Sequence, residues 1–168
     1  MDKDAYLEIN ASQRPALALF DAMGYTYISP ADCDKQRGSR YHVLLRDILR
    51  GQLRRLNRYV YAGAENEFSA ANIERAMEDL DEPLTDGLVR TSEKIYDALL
   101  LGKSYPETVG DGKMLSFNLR YIDWDNPQNN VFHVTEEFAV DSRDRQHNAR
   151  PDIVLFINGI PFAVIECK

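Results

Sequence analysis

The last stretch of the chain, RPDIVLFINGIPFAVIECK from Arg150 to Lys168, constrains the fold more than any other. Two apolar runs, DIVLFI and IPFAVIECK, meet at Asn158-Gly159, and an Asn-Gly pair between strand-length apolar runs signals a β-hairpin. An apolar strand normally excludes charge, because an unpaired buried carboxylate is costly to desolvate. Asp152 at the start of the first run, and Glu166 with Lys168 at the end of the second, therefore mark both ends of one hairpin and need a reason.

Side chains alternate faces along a strand, so the loop decides which residues share a face. A two-residue turn at Asn158-Gly159 pairs Ile157 with Ile160 and Asp152 with Ile165, which leaves Glu166 on the other face. A three-residue loop, Ile157-Asn158-Gly159, with Gly159 left-handed in a bulge, pairs Phe156 with Ile160 and Asp152 with Val164. Glu166 and Lys168 then face the same side as Asp152. An Asn-Gly signal permits either turn. The shared face is the expectation, because only it lets the three groups converge.

Converging carboxylates from adjacent strands make an oxygen-rich site for a hard cation, and magnesium suits it because it keeps several waters and needs few protein ligands. A metal there can neutralise a phosphate and activate a water, and an ammonium nearby can orient or deprotonate that water. This is equipment for phosphodiester hydrolysis. The plainer alternative makes Asp152 the cap of a strand entry after Arg150-Pro151, with Glu166 and Lys168 solvated at a strand end. That alternative has to account for the Pro-Asp pair, both apolar strands, the hairpin and the Glu-X-Lys ending together.

Upstream, the first half reads as helical. QRPALALFDAM from Gln13 to Met23 puts Ala16, Leu17 and Phe20 on one face, with Gly24 as its stop. SPADCDKQRGSR, from Ser29 to Arg40, reads as a polar surface loop. Tyr41 to about Arg58 reads as a helix with Leu45, Ile48, Leu49, Leu53 and Leu56 on its seam. A further helix follows Ser69 as N-cap, and TSEKIYDALLLG forms another that ends at Gly102. After Gly112 the pattern turns to strands: Met114 to Trp124, then Val131 to Val140, then the hairpin. With 168 residues and 44% hydrophobic content, the chain can bury one good-sized core.

The formal charge is -7, from 27 acidic and 20 basic side chains. That opposes strong non-specific attraction to a polyanion and implies that another domain or subunit presents any DNA. Cys33 and Cys167 are too few for a disulfide framework or a zinc site. The N-terminal MDKDAYLEIN lacks an apolar signal core, and no run reaches the ~18 apolar residues of a membrane span, so a cytoplasmic protein without a membrane is expected.

Other candidates are weaker. Arg46, Arg50, Arg54 and Arg58 fall four apart and form a stripe that could contact DNA phosphates, although a solvated helix face explains it equally well. Glu93 near a helix start favours the helix dipole, with Thr91 or Ser92 as cap. His42, His133 and His147 show no ligand spacing. Alternation sends the Cys167 side chain to the face opposite its neighbours, as a small buried group.

The run RPDIVLFINGIPFAVIECK resembles the PD-(D/E)XK nuclease motif, in the form found in the restriction (R) subunits of type I restriction enzymes. QRPALALFDAMGYTY, LVRTSEKIYDALLLG and IDWDNPQNN are similar to that family's N-terminal part as well. The resemblance implies an α/β, restriction-endonuclease-like fold with a mixed central sheet flanked by helices. Residues 1–88 would be its N-terminal helical part and 89–168 its nuclease core, truncated after the lysine. It further implies catalytic Asp152, Glu166 and Lys168, with metal held by Asp152, Glu166 and the Cys167 carbonyl. Mg2+ would be the cofactor, with Mn2+ able to substitute, and ATP would serve only a translocase region not found in this sequence. Double-stranded DNA and the modification (methyltransferase) and specificity subunits would be the partners. Two other functions fit the residues: an inert docking module in a larger restriction or translocase assembly, and an independent repair nuclease with the same motif. A reading frame continuing into an ATPase would favour the restriction subunit.

Overall fold

The computed structural model describes residues 12–81, 87–142 and 148–167, without the side chain of Asp111. They divide between two compact units, one drawn from 1–47 with 131–168 and the other from 48–130. These units cut the chain at other points than the 1–88 and 89–168 parts read from the sequence, because the first helices and strand join strands formed near the chain's end.

In the first unit, helix α1 (Arg14–Ala22) starts with Pro15 in its first turn, where a missing N–H costs nothing. Strand β1 (Thr26–Tyr27) follows. The stretch expected to be a loop instead forms helix α2 (Pro30–Arg37). Its polarity hid three end signals: Ser29 Oγ accepts from the Asp32 N–H, Pro30 opens the first turn, and Gly38 at φ +72 closes the helix. Only Cys33 and Arg37 of α2 are buried.

The later strands of this unit are β6 (Phe132–Glu136), β7 (Ile153–Ile157) and β8 (Ile160–Ile165). With β1 they make a four-stranded sheet in the order β1-β6-β7-β8. β1 runs parallel to β6, and the other pairs are antiparallel. All five β7 residues are buried, as expected of a central strand covered on both faces. On one face Ile153, Leu155, Val134 and Cys167 form a core against Ala16, Leu17 and Phe20 of α1. On the other, Cys33 of α2 is fully buried, and the Phe138 ring meets Phe156 edge-on. The Arg37 guanidinium, 2% exposed, lies 4.1 Å over that Phe138 ring. A mixed sheet flanked by helices is thus the architecture of this unit.

The second unit holds most of helix α3 (Arg46–Leu56), the hairpin β2 (Arg58–Tyr61) and β3 (Ala64–Glu67), helix α4 (Ala70–Leu80), helix α5 (Leu88–Leu101) and the hairpin β4 (Lys103–Thr108) and β5 (Met114–Leu119). β2 and β3 fall in the part read as helical, β4 in a stretch given no element, and β5 within the expected strand from Met114 to Trp124. Ser69 caps α4 as expected. α5, however, starts at Leu88 behind Gly87, so Thr91 and Ser92 lie inside it and cap nothing. Among the described residues no helix is long and apolar enough to cross a membrane.

Candidate active site

The hairpin register decides whether Asp152 and Glu166 can act together. The chain reverses through a two-residue turn, with Asn158 at φ +54 and Gly159 at φ +84, and Ile157 pairs with Ile160. Two consecutive positive φ values are those of a type I′ turn, which suits Asn-Gly. The expected three-residue loop is therefore not formed. Asn158 is fully buried; its Oδ1 accepts from the Val131 N–H and its N–H donates to the Val131 carbonyl, both at 2.9 Å. Those bonds hold the tight turn against the start of β6.

Continued unbroken, that turn would send Glu166 to the wrong face. The register slips instead: Phe156 pairs with Pro161, but Leu155 pairs with Ala163. Phe162 is the extra residue of a β-bulge. Pro161 lacks an N–H for the ladder, and prolines in sheets sit at edges or bulges; β8 is an edge strand. Below the bulge Val154 faces Val164 and Ile153 faces Ile165. One further step in the same register would bring Asp152 opposite Glu166, on the shared face expected, by a different device.

Asp152 is half-buried and Glu166 exposed. Asp152 Oδ2 accepts from the Cys167 N–H at 2.6 Å, a short bond across the hairpin's open end. Among the described residues its Oδ1 accepts none. The Cys167 side chain turns into the α1 core, 9% exposed, as alternation requires. Lys168 and His147 lie outside the described residues.

The end of β6 adds residues that the sequence reading missed. Glu137, at φ +51, donates its N–H to the Asp152 carbonyl at 3.0 Å, and its carboxylate takes Arg150 Nε at 2.8 Å. Gln13, 4% exposed, donates Nε2 to Glu136 Oε2 at 3.2 Å and to the Asp152 carbonyl at 3.4 Å. Tyr27 donates to Glu136 Oε1 at 2.8 Å. Two adjacent acids at a strand end, Glu136-Glu137, were the available signal; nothing in the sequence marks Gln13.

The donor types suit a hard divalent cation: two carboxylates and a backbone carbonyl, all oxygen. Among the described residues no group of three or more His, Cys, Asp or Glu side chains could hold a metal. A site of two carboxylates and a carbonyl needs no such group.

The arginine stripe does not survive as one surface. α3 stops at Leu56, where Asn57 Nδ2 turns back to the Leu53 carbonyl at 2.9 Å, so Arg58 begins β2 and leaves the helix. Arg50 pairs with Glu74 and Arg58 with Glu67. Arg46 too has a partner, and Arg54 is exposed. Glu93 is an exposed residue of α5, inside the second unit. His42 and His133 are partly buried, and burial lowers the pKa of His133.

A mixed sheet flanked by helices, with Asp152 and Glu166 at the open end of its β7–β8 hairpin, makes this an α/β protein. The chain belongs to the family of type I restriction enzyme R protein N termini, whose profile matches residues 5–168. It is 30% identical over 126 residues to a Methanocaldococcus jannaschii protein named as the type I restriction enzyme MjaVIIIP endonuclease subunit, covering 74% of this chain and 11% of that protein. A second protein of that organism, named for the MjaIXP endonuclease subunit, is 34% identical over 76 residues, covering 45% of this chain and 7% of its own length. The chain thus spans about a tenth or less of the relatives it matches.

Proposed function

We propose that this chain is the nuclease part of a type I restriction R subunit, with a PD-(D/E)XK-type fold, that hydrolyses DNA phosphodiester bonds with Mg2+. One observation carries the reading: beyond the bulge at Phe162, Val154 faces Val164 and Ile153 faces Ile165, a register that carried one step on sets Asp152 opposite Glu166. Like charges directly opposite in a sheet repel, and a cation between them turns that repulsion into binding. Family membership supplies the context in which such a cation would serve endonuclease chemistry.

Asp152, Glu166 and the Cys167 carbonyl would hold the ion. When bound, Mg2+ would offset phosphate charge and make a water more acidic. Asp152 is kept in place by the Cys167 N–H, so its carboxylate enters the reaction already oriented. Lys168 would orient the attacking water or take its proton. No covalent enzyme intermediate is involved. ATP would be used by a translocase region elsewhere in the protein. Double-stranded DNA would be the substrate, with modification and specificity subunits as partners in the cytoplasm.

The test is cleavage of supercoiled plasmid by the full-length protein in its complex, with Mg2+ or Mn2+. Asp152→Asn and Glu166→Gln are each expected to lower the rate at least ~100-fold while circular dichroism stays unchanged, since each removes a ligand from a metal contributing several kcal/mol. Equal cleavage by both variants would leave the carboxylates structural and favour a docking role.

A further inference from the structure

We propose that Arg150 is a DNA-phosphate-binding residue of the Asp152 site, held by Glu137 until a phosphate replaces that carboxylate. The proposal rests on the nuclease reading and names how the same site takes its substrate. Arg150 Nε stands 2.8 Å from Glu137 Oε2. Glu137 is fixed in turn to the segment that carries the site: its N–H donates to the Asp152 carbonyl at 3.0 Å, and the Phe138 N–H donates to the Pro151 carbonyl at 3.2 Å. Left-handed backbone is disfavoured for a non-glycine residue, and at Glu137 these two bonds sustain it. Pro151 disfavours helical backbone at Arg150, so the approach to Asp152 stays extended and the guanidinium begins only two residues from the carboxylate.

Charge explains why such a residue is needed. Asp152 and Glu166 together match the charge of one divalent ion, so that ion leaves little attraction for DNA. Glu136 and Glu137 close by add repulsion, and the whole chain carries -7. Arg150 is a cation at this end of the sheet, and its planar fork suits a phosphate. Its side chain is 69% exposed and that of Glu137 34%, so the pair is wet and weak. Exchanging one exposed anion for another is then an easy step. Retaining Glu137 keeps the guanidinium near Asp152 before DNA arrives.

The test is equilibrium binding of a short DNA duplex to the full-length protein, with Ca2+ in place of Mg2+, across a salt series. Arg150→Ala is expected to weaken binding about tenfold and to flatten the log Kd against log salt slope by about 1, as one lost phosphate contact should. Arg150→Lys keeps the charge and should keep the slope. Glu137→Gln frees the arginine and should tighten binding about threefold, but should do nothing when Arg150 is already alanine. An unchanged slope in Arg150→Ala, or an equal Glu137→Gln effect with and without Arg150, overturns the proposal. Failure of the underlying reading looks different: Asp152→Asn would then cleave DNA normally, whatever Arg150 does to binding.

Discussion

Two hairpins of this chain share one turn and differ in almost everything else. β2–β3 reverses through Ala62 and Gly63 at φ +49 and +81, β7–β8 through Asn158 and Gly159 at +54 and +84. β2–β3 then runs in unbroken register to Arg58 opposite Glu67, an ion pair at 2.6 Å that satisfies itself. β7–β8 slips by one residue at Phe162, and its last pair, Ile153 with Ile165, leaves Asp152 and Glu166 next in register, two acids in place of an ion pair. The same turn therefore closes a hairpin that ends on an ion pair in one unit and a hairpin that ends beside two acids in the other. The bulge, the burial and the sign of the last pair make the difference.

Shifting the strand beyond the bulge is the harshest way to break this contrast. One alanine inserted between Phe162 and Ala163 would move every later β8 residue one step along β7, turning Glu166 toward the α1 face and taking Ile165 out of it. Burying an unpaired carboxylate there should cost about 3–5 kcal/mol, read by urea unfolding. A loss below about 1 kcal/mol would mean that the register beyond the bulge does not set the face. The turns offer the next comparison. Asn158→Ala strands the buried Val131 N–H and puts alanine in left-handed backbone, a loss of about 2–3 kcal/mol. Ala62→Asn relieves the same backbone penalty in β2–β3 and should gain up to about 1 kcal/mol in the same assay.

Acid should separate the two hairpins more gently. His133 on β6, beside the buried hairpin, has its pKa lowered by burial, and its Nδ1 has no hydrogen-bond partner among the described residues. The unfolded chain takes up a proton as pH falls through about 6.5, whereas the folded chain stays neutral to lower pH. Stability should thus decline below about pH 6.5 and level off below the folded pKa. His133→Gln should remove that component in unfolding curves taken at several pH values. The smallest effect belongs to β2–β3. A double-mutant cycle on Arg58 and Glu67, 38% and 70% exposed, should give a coupling under about 1 kcal/mol that fades with salt.

What the sequence made legible follows from how local each signal is. The Asn-Gly turn, the apolar strands, the α1 face of Ala16, Leu17 and Phe20, the Ser69 cap and the inward Cys167 all depend on near neighbours, and all are present. The β2–β3 hairpin was hidden because its turn uses Ala62, which carries no turn preference, and its second strand, AENE, has no apolar alternation. Helix α2 was hidden because its only buried side chains are Cys33 and Arg37. The bulge could not be read because Phe162 looks like any strand residue; only pairing with β7 singles it out. Glu137 and Gln13 meet Asp152 through tertiary contact, which no spacing encodes.

The most direct test of the paired-carboxylate site is Mn2+ titration of the isotopically labelled chain, followed by amide NMR. Paramagnetic broadening should begin at residues 152, 166 and 167, and both Asp152→Asn and Glu166→Gln should abolish it while the remaining spectrum keeps its dispersion. Broadening centred on the β2–β3 unit, or unchanged by either substitution, would contradict a cation held between the two ends of the β7–β8 hairpin.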